Sequence, residues 1–115
     1  MNHVVITGKI TGDIIYEQDR ATSMCSFNVK NLYYRGNTST QQAVIIRCIA
    51  YGAVADYVGN ELYQSCNVIV TGRVCYRRIE IPNSVVNQLY VGCNTVSILE
   101  QESRRPVGRM TCSTV

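Results

Sequence analysis

The chemistry-bearing side chains of this 115-residue chain are mostly basic and aromatic, and they fall on stretches that read as strands. The run Val68–Val74 continues as Cys75-Tyr76-Arg77-Arg78-Ile79, so Arg73, Arg77 and Arg78 surround a tyrosine along its far end. Arg47 and Tyr51 lie four residues apart in Val44–Gly52, which puts them on one side of an extended strand. Tyr33-Tyr34-Arg35 leads into the polar loop Gly36–Thr40. Such groups are suited to binding rather than bond cleavage. His3 is the only histidine, which leaves no Ser-His or Cys-His constellation, and the eight acids show no paired spacing. The chain is therefore read as a binding protein and not as an enzyme.

Six cysteines, Cys25, Cys48, Cys66, Cys75, Cys93 and Cys112, contain no CxxC knuckle and have one histidine to join them. Zinc ligation needs closer spacing, so they read as free thiols, and no cofactor or metal is implied. Cys25 and Cys48 share the parity of apolar neighbours, where a free thiol acts as a small hydrophobe.

The net charge of +3 is unevenly placed. Residues 1–100 hold eight Lys/Arg against seven Asp/Glu, whereas residues 101–115 hold Arg104, Arg105 and Arg109 against Glu102. An anion-binding surface on so neutral a domain must come from local arrangement, not bulk charge. With 46% hydrophobic and 17% charged residues the composition is that of one globular domain, residues 1–100, followed by a basic, aperiodic tail, residues 101–115, expected to be disordered. No apolar run reaches the ~18 residues of a membrane span, and Met1-Asn2-His3-Val4 does not open a signal peptide. A cytoplasmic protein without membrane partners is expected, or one of the plastid stroma.

Period-two alternation supplies the elements that must hold the basic and aromatic groups. The first strand spans Asn2–Ile15, with Val4, Ile6, Gly8 and Ile10 on one parity and Val5, Thr7 and Lys9 on the other. In the second, Cys25, Phe27 and Val29 alternate with Ser26, Asn28 and Lys30. The third, Val44–Gly52, sets Val44, Ile46, Cys48 and Ala50 against Ile45, Arg47, Ile49 and Tyr51. A charge is rarely fully buried, so the Arg47 face is assigned outward. Ala53–Tyr63 carries Val54, Tyr57, Val58 and Leu62 at helical spacing, weakened by about 1 kcal/mol at Gly59; Tyr57 and Tyr63 are expected to pack. The fourth strand is Asn67–Ile79, the turn Pro82-Asn83-Ser84, and the fifth strand Asn87–Leu99. Ile6-Thr7-Gly8-Lys9 is echoed by Val70-Thr71-Gly72-Arg73, and a lone Gly in a β-branched run marks a bulge or bend. Gly8 and Gly72 are thus expected to close a barrel, Gly72 with positive φ. Three strands, a helix and two strands make an all-β OB-fold, a five-stranded Greek-key barrel with one short helix between strands three and four.

Asn2-His3-Val4-Val5-Ile6-Thr7-Gly8-Lys9-Ile10-Thr11-Gly12-Asp13 resembles the opening of bacterial single-stranded DNA-binding proteins. So does Ile46-Arg47-Cys48-Ile49-Ala50-Tyr51-Gly52 with the following Ala55 and Tyr57, and Val68–Val74 with Tyr76-Arg77-Arg78 is similar to that family's fourth strand. Val96-Ser97-Ile98-Leu99-Glu100 is similar to its domain end. The resemblance implies an OB-fold oligomer that holds single-stranded DNA by stacking and phosphate contacts. On it, Tyr51 matches a stacking aromatic, Arg47, Arg77 and Arg78 match basic contact positions, and Arg35 holds a stacking column beside Tyr33 and Tyr34. At least one of Arg73, Arg77 and Arg78 is expected to meet phosphate.

Departures from the family are also legible. There is no tryptophan, Ile45 and Ile79 standing in two of its columns; the loop between strands four and five is short; and an acidic tail that recruits replication proteins is replaced by a basic one. These features resemble short relatives, of the primosomal replication protein N type or from cyanobacteria and plastids. The alternatives are accordingly an accessory OB dimer of replication restart, or a protein-interaction module that has lost DNA binding. Valines on both parities of Asn2–Ile6, with the resemblance, imply a homodimer or homotetramer through that segment.

Overall fold

A computed structural model describes residues 1–37 and 39–99. Its elements are β1 (Val4–Gln18), β2 (Ser23–Tyr34), β3 (Gln41–Tyr51), α1 (Ala53–Glu61), β4 (Asn67–Ile81) and β5 (Ser84–Ile98). The strands close into a barrel in the order β1-β2-β3-β5-β4, with the OB-fold's helix between the third and fourth. The pairing is antiparallel except between β3 and β5, which run parallel. The expected basic tail lies outside the described residues. No helix among them is long and apolar enough to cross a membrane.

The alternation read in the sequence becomes the barrel interior. Ile6, Ile10, Cys25, Phe27, Val29, Cys48, Ala50, Val68, Val70, Val91 and Val96 are buried, and Ala55, Val58 and Leu62 close over them from the helical segment. One expected outward residue is corrected: Ile49 is only 3% exposed. It pairs with buried Ser26 across the ladder and has Arg47 and Tyr51 on either side along its own strand, so its own face covers it.

The two echoed glycines work differently from the expectation. The β4–β5 register does shift between Thr71 and Gly72, but among the described residues the positive-φ glycines are Gly12, Gly36 and Gly52. At Gly72 it is space that forbids a side chain: a Cβ there would run into the Gly92 carbonyl oxygen and lie 2.9 Å from its carbon. Gly8 is likewise pressed against the backbone of Lys30. The bend of β1 lies further on, between Thr11 and Ile15, where Gly12 has φ 74°. By that point β1 has already passed from pairing with β4 to pairing with β2, the two ladders overlapping at Lys9.

Helix α1 is pinned to the barrel through Asp56. The Tyr16 hydroxyl donates to its Oδ1 at 2.7 Å and the Ser23 hydroxyl at 2.5 Å. These donors, Ser23 first and then Tyr16, hold the Asp56 carboxyl below the usual carboxylate range. Gly59, a weak helix residue, makes room for the Tyr16 ring: a Cβ would sit 2.6 Å from its Cδ1. Tyr57 packs against the core as expected, but Tyr63, beyond the helix end, is 61% exposed.

Only the edge of β1 that faces β4 is paired over Val4–Gly8, since pairing with β2 starts at Lys9. Asn2 extends that ladder with its side chain, its amide donating to the Val74 carbonyl at 2.8 Å and accepting from the Val74 N–H at 2.9 Å. The β4–β5 hairpin closes on a two-residue turn, Pro82-Asn83, with Asn83 at φ 69°. Proline followed by a positive-φ residue is the signature of a type II turn.

Candidate nucleic-acid interface

Residues directly opposite one another in a ladder share a face. In β2–β3 the pairs Met24↔Tyr51, Asn28↔Arg47, Lys30↔Ile45 and Tyr34↔Gln41 therefore form one surface. The parallel pair Ile49↔Gly92 carries it onto β5, where Tyr90 and Gln88 have the parity of Gly92. From β5 it passes to β4 through Arg73↔Gly92, Cys75↔Tyr90 and Arg77↔Gln88. Four strands thus present Lys30, Tyr34, Arg47, Tyr51, Arg73, Arg77 and Tyr90 on the outer face of one sheet. Tyr51 is 56% exposed and Tyr34 63%, so both rings are open to solvent. The Arg77 Nε donates to the Gln88 Oε1 at 3.0 Å, which fixes the guanidinium across the hairpin.

Other sequence candidates lie apart from this surface. Arg78 pairs with Asn87 on the reverse of the hairpin, beside Tyr76 and Leu89, and its Nε stands 4.0 Å from Glu80 in an exposed ion pair. Tyr33 pairs with Gln42 on the reverse of the β2–β3 ribbon; the ribbon stands clear of the core, so both Tyr33 and Tyr34 are exposed. Arg35 follows the end of β2, its N–H bonded to the Thr40 carbonyl across the loop at 3.4 Å. Ile45 and Ile79 fall on the same side as Arg47 and Arg77 respectively, apolar where an aromatic would stack.

Tyr90 and Lys30 were not singled out by sequence reasoning. Lys30 was visible as an outward alternate of the second strand. Tyr90 had only its parity with Gly92 to mark it, and that becomes informative only once β5 is known to lie beside Arg47. The Tyr90 phenol is pushed up by burial first, then by Cys75 and Tyr51 nearby. Beside it, β3 and β5 pair only at Cys48↔Val91 and Ile49↔Gly92. Beyond that point they leave a groove of about 470 Å³ walled by Val44, Ile46, Leu89 and Val91, with Val4 and Ile6 of β1 and Val74 of β4 also lining it. Arg47 is the one charged residue lining it, and its Nε is buried with no hydrogen-bond partner.

Among the described residues no three metal-ligating side chains come together. Cys25, Cys48 and Cys66 are buried and free. Burial pushes the Cys25 thiol up to about 11, and the Cys48 thiol, with burial, pushes that of Cys93 up. The upward shifts keep the Cys25 and Cys93 thiols protonated and inert.

The model of the Single-strand binding protein family matches residues 1–99. The chain belongs to that family. Single-strand binding proteins are not enzymes, and membership supports single-stranded DNA binding for this chain. Among solved structures, the chain is similar to the protein of a Plasmodium falciparum SSB complex with ssDNA, at 14% identity and a TM-score of 0.75, covering 87% of this chain and 96% of that one. At that identity the likeness bears on the single-strand binding protein's fold alone. No match was found among curated proteins.

Proposed function

We propose that this protein binds single-stranded DNA without reading its sequence, along the outer face of β2, β3, β5 and β4, in DNA replication and repair. The observation that carries the proposal is the convergence of Arg47, Tyr51, Arg73 and Arg77, from separate strands, on one sheet face of a single-strand binding barrel. Tyrosine rings accept any base because every base has a π-face, and arginines hold phosphates without distinguishing bases. Lys30, Tyr34 and Arg35 extend the track along the β2–β3 ribbon. Tyr33 and Arg78, on the reverse faces, meet DNA where the strand wraps around a ribbon.

Wrapping suits an oligomer. Val5 is 55% exposed on a stretch of β1 that β2 leaves unpaired, and covering it with a second copy removes an aggregation-prone edge. A homodimer, or a homotetramer built from two of them, is the assembly we assign. Replication proteins are its remaining partners. Fluorescence anisotropy with a dT oligomer of about 30 nucleotides at two salt concentrations tests the reading. A phosphate-driven binder weakens steeply as salt rises. Absence of binding at low salt overturns it and favours a protein-interaction module.

A further inference from the structure

Granted single-strand binding, we infer that the groove between β3 and β5 seats one base turned out of the strand, stacked on Tyr90, with Arg47 supplying the polar contact. The parallel register continues from Ile49↔Gly92 and Cys48↔Val91 to set Tyr90 across from Arg47, and both line the groove. Its volume of about 470 Å³ falls within the ~300–1,000 Å³ of small-molecule sites. Aliphatic side chains of four strands line it, among them Val4 and Ile6 of β1, Val44 and Ile46 of β3, Val74 of β4, and Leu89 and Val91 of β5, so the groove runs up to the stretch of β1 that a second copy would pair with. Such a slot takes a flat, weakly polar ring.

Charge decides what that ring belongs to. No carboxylate lines the groove; its one charged group is Arg47, whose buried Nε has no acceptor. A buried donor without a partner is costly, and an acceptor arriving with a ligand removes that cost. Lys30 pairs with Ile45 at one lip, and Arg77 pairs with Gln88, next to Leu89, at the other. An aromatic ring flanked by anions on both sides is a nucleotide base between its phosphates. Tyr51, on the open sheet, stacks bases without enclosing them, so the groove is a second and different kind of contact.

The test compares Tyr90→Thr, which keeps strand propensity while deleting the ring, with Tyr90→Phe and Tyr51→Ala. Binding to dT oligomers should weaken about tenfold in Tyr90→Thr, one stacked base by the usual measure, and stay near wild type in Tyr90→Phe. A dT oligomer carrying a single 2-aminopurine, read with the wild-type protein, should show a fluorescence component shielded from acrylamide, and Tyr90→Thr should lose it. Loss of affinity in Tyr51→Ala but not in Tyr90→Thr, with no shielded component, overturns the base seat and leaves sheet-face binding intact. Dissociation of the oligomer by Tyr90→Thr without DNA overturns it in favour of a second copy as the occupant. No binding by wild type removes the functional reading itself. A Tyr90→Thr protein that fails to fold leaves the wild-type shielding measurement to decide.

Discussion

Gly72 offers the sharpest test of how this barrel closes. In Gly72→Ala the new methyl would meet the Gly92 carbonyl oxygen at sub-van-der-Waals distance, with the carbonyl carbon at 2.9 Å and the Cys93 Cα at 3.1 Å. All are backbone atoms of the paired strand, so no rotamer can relieve the overlap; the Gly72↔Cys93 and Arg73↔Gly92 pairs must separate instead. Overpacking typically costs ~1–3 kcal/mol, and a neighbour that cannot yield puts this case at the upper end. Because φ at Gly72 is not positive, the reduced freedom of the unfolded chain returns ~0.4–1 kcal/mol, leaving a net loss of about 2 kcal/mol. For a domain of this size that corresponds to a fall in Tm of roughly 8–16 °C. Urea unfolding read by circular dichroism measures it, with Gly12→Asn as the control, since asparagine tolerates the left-handed region and nothing lies within 4 Å of a Cβ there. An unchanged midpoint in Gly72→Ala would refute the close approach of β4 and β5 at the bulge. It would also undermine the phase that places Arg73 and Arg77 on the binding face.

Tyr51→Ala should weaken single-stranded DNA binding by ~1–3 kcal/mol, equally for dT and mixed-sequence oligomers in anisotropy titrations; a sequence-dependent loss would contradict the stacking role. Arg77→Ala should lower affinity uniformly and reduce the log–log salt slope by ~0.7, the single-strand value for one phosphate, whereas Arg78→Ala, on the reverse face, should change the slope less. The Asp56 carboxyl is held below its ordinary value of 3.8 by Ser23 and Tyr16. Its contribution is therefore fully present above that value and is lost as pH falls through the lower folded pKa. Asp56→Asn should make the urea midpoint less sensitive to acid, and an unchanged acid profile would show the hydroxyl contacts to be absent in solution. Deleting residues 101–115 removes three arginines and should flatten the salt slope while leaving the Tyr51→Ala effect intact. Light scattering at micromolar concentration should return a dimer or tetramer; a monomer would refute assembly through β1.

Strand identity and strand face were legible in the sequence because the pleat is local: successive side chains alternate whatever the partner strand. Cys25-x-Phe27-x-Val29 had to face inward once, and the same logic set Arg47 and Tyr51 together and Arg78 opposite Arg77. The order of strands and helix then named the fold. What lies across from what is not local, because register is decided by pairing between segments far apart in the chain. Tyr90 stands beside Arg47 only because β3 and β5 meet in parallel at Cys48 and Ile49, two strands separated by α1 and all of β4. The same juxtaposition opens the groove where those strands part. Ile49 shows the converse: its parity is outward, yet the large side chains around it on the assembled sheet bury it. Gly72 carried a local signal of irregular backbone, but the reason was a carbonyl of another strand, a contact that tertiary pairing alone creates.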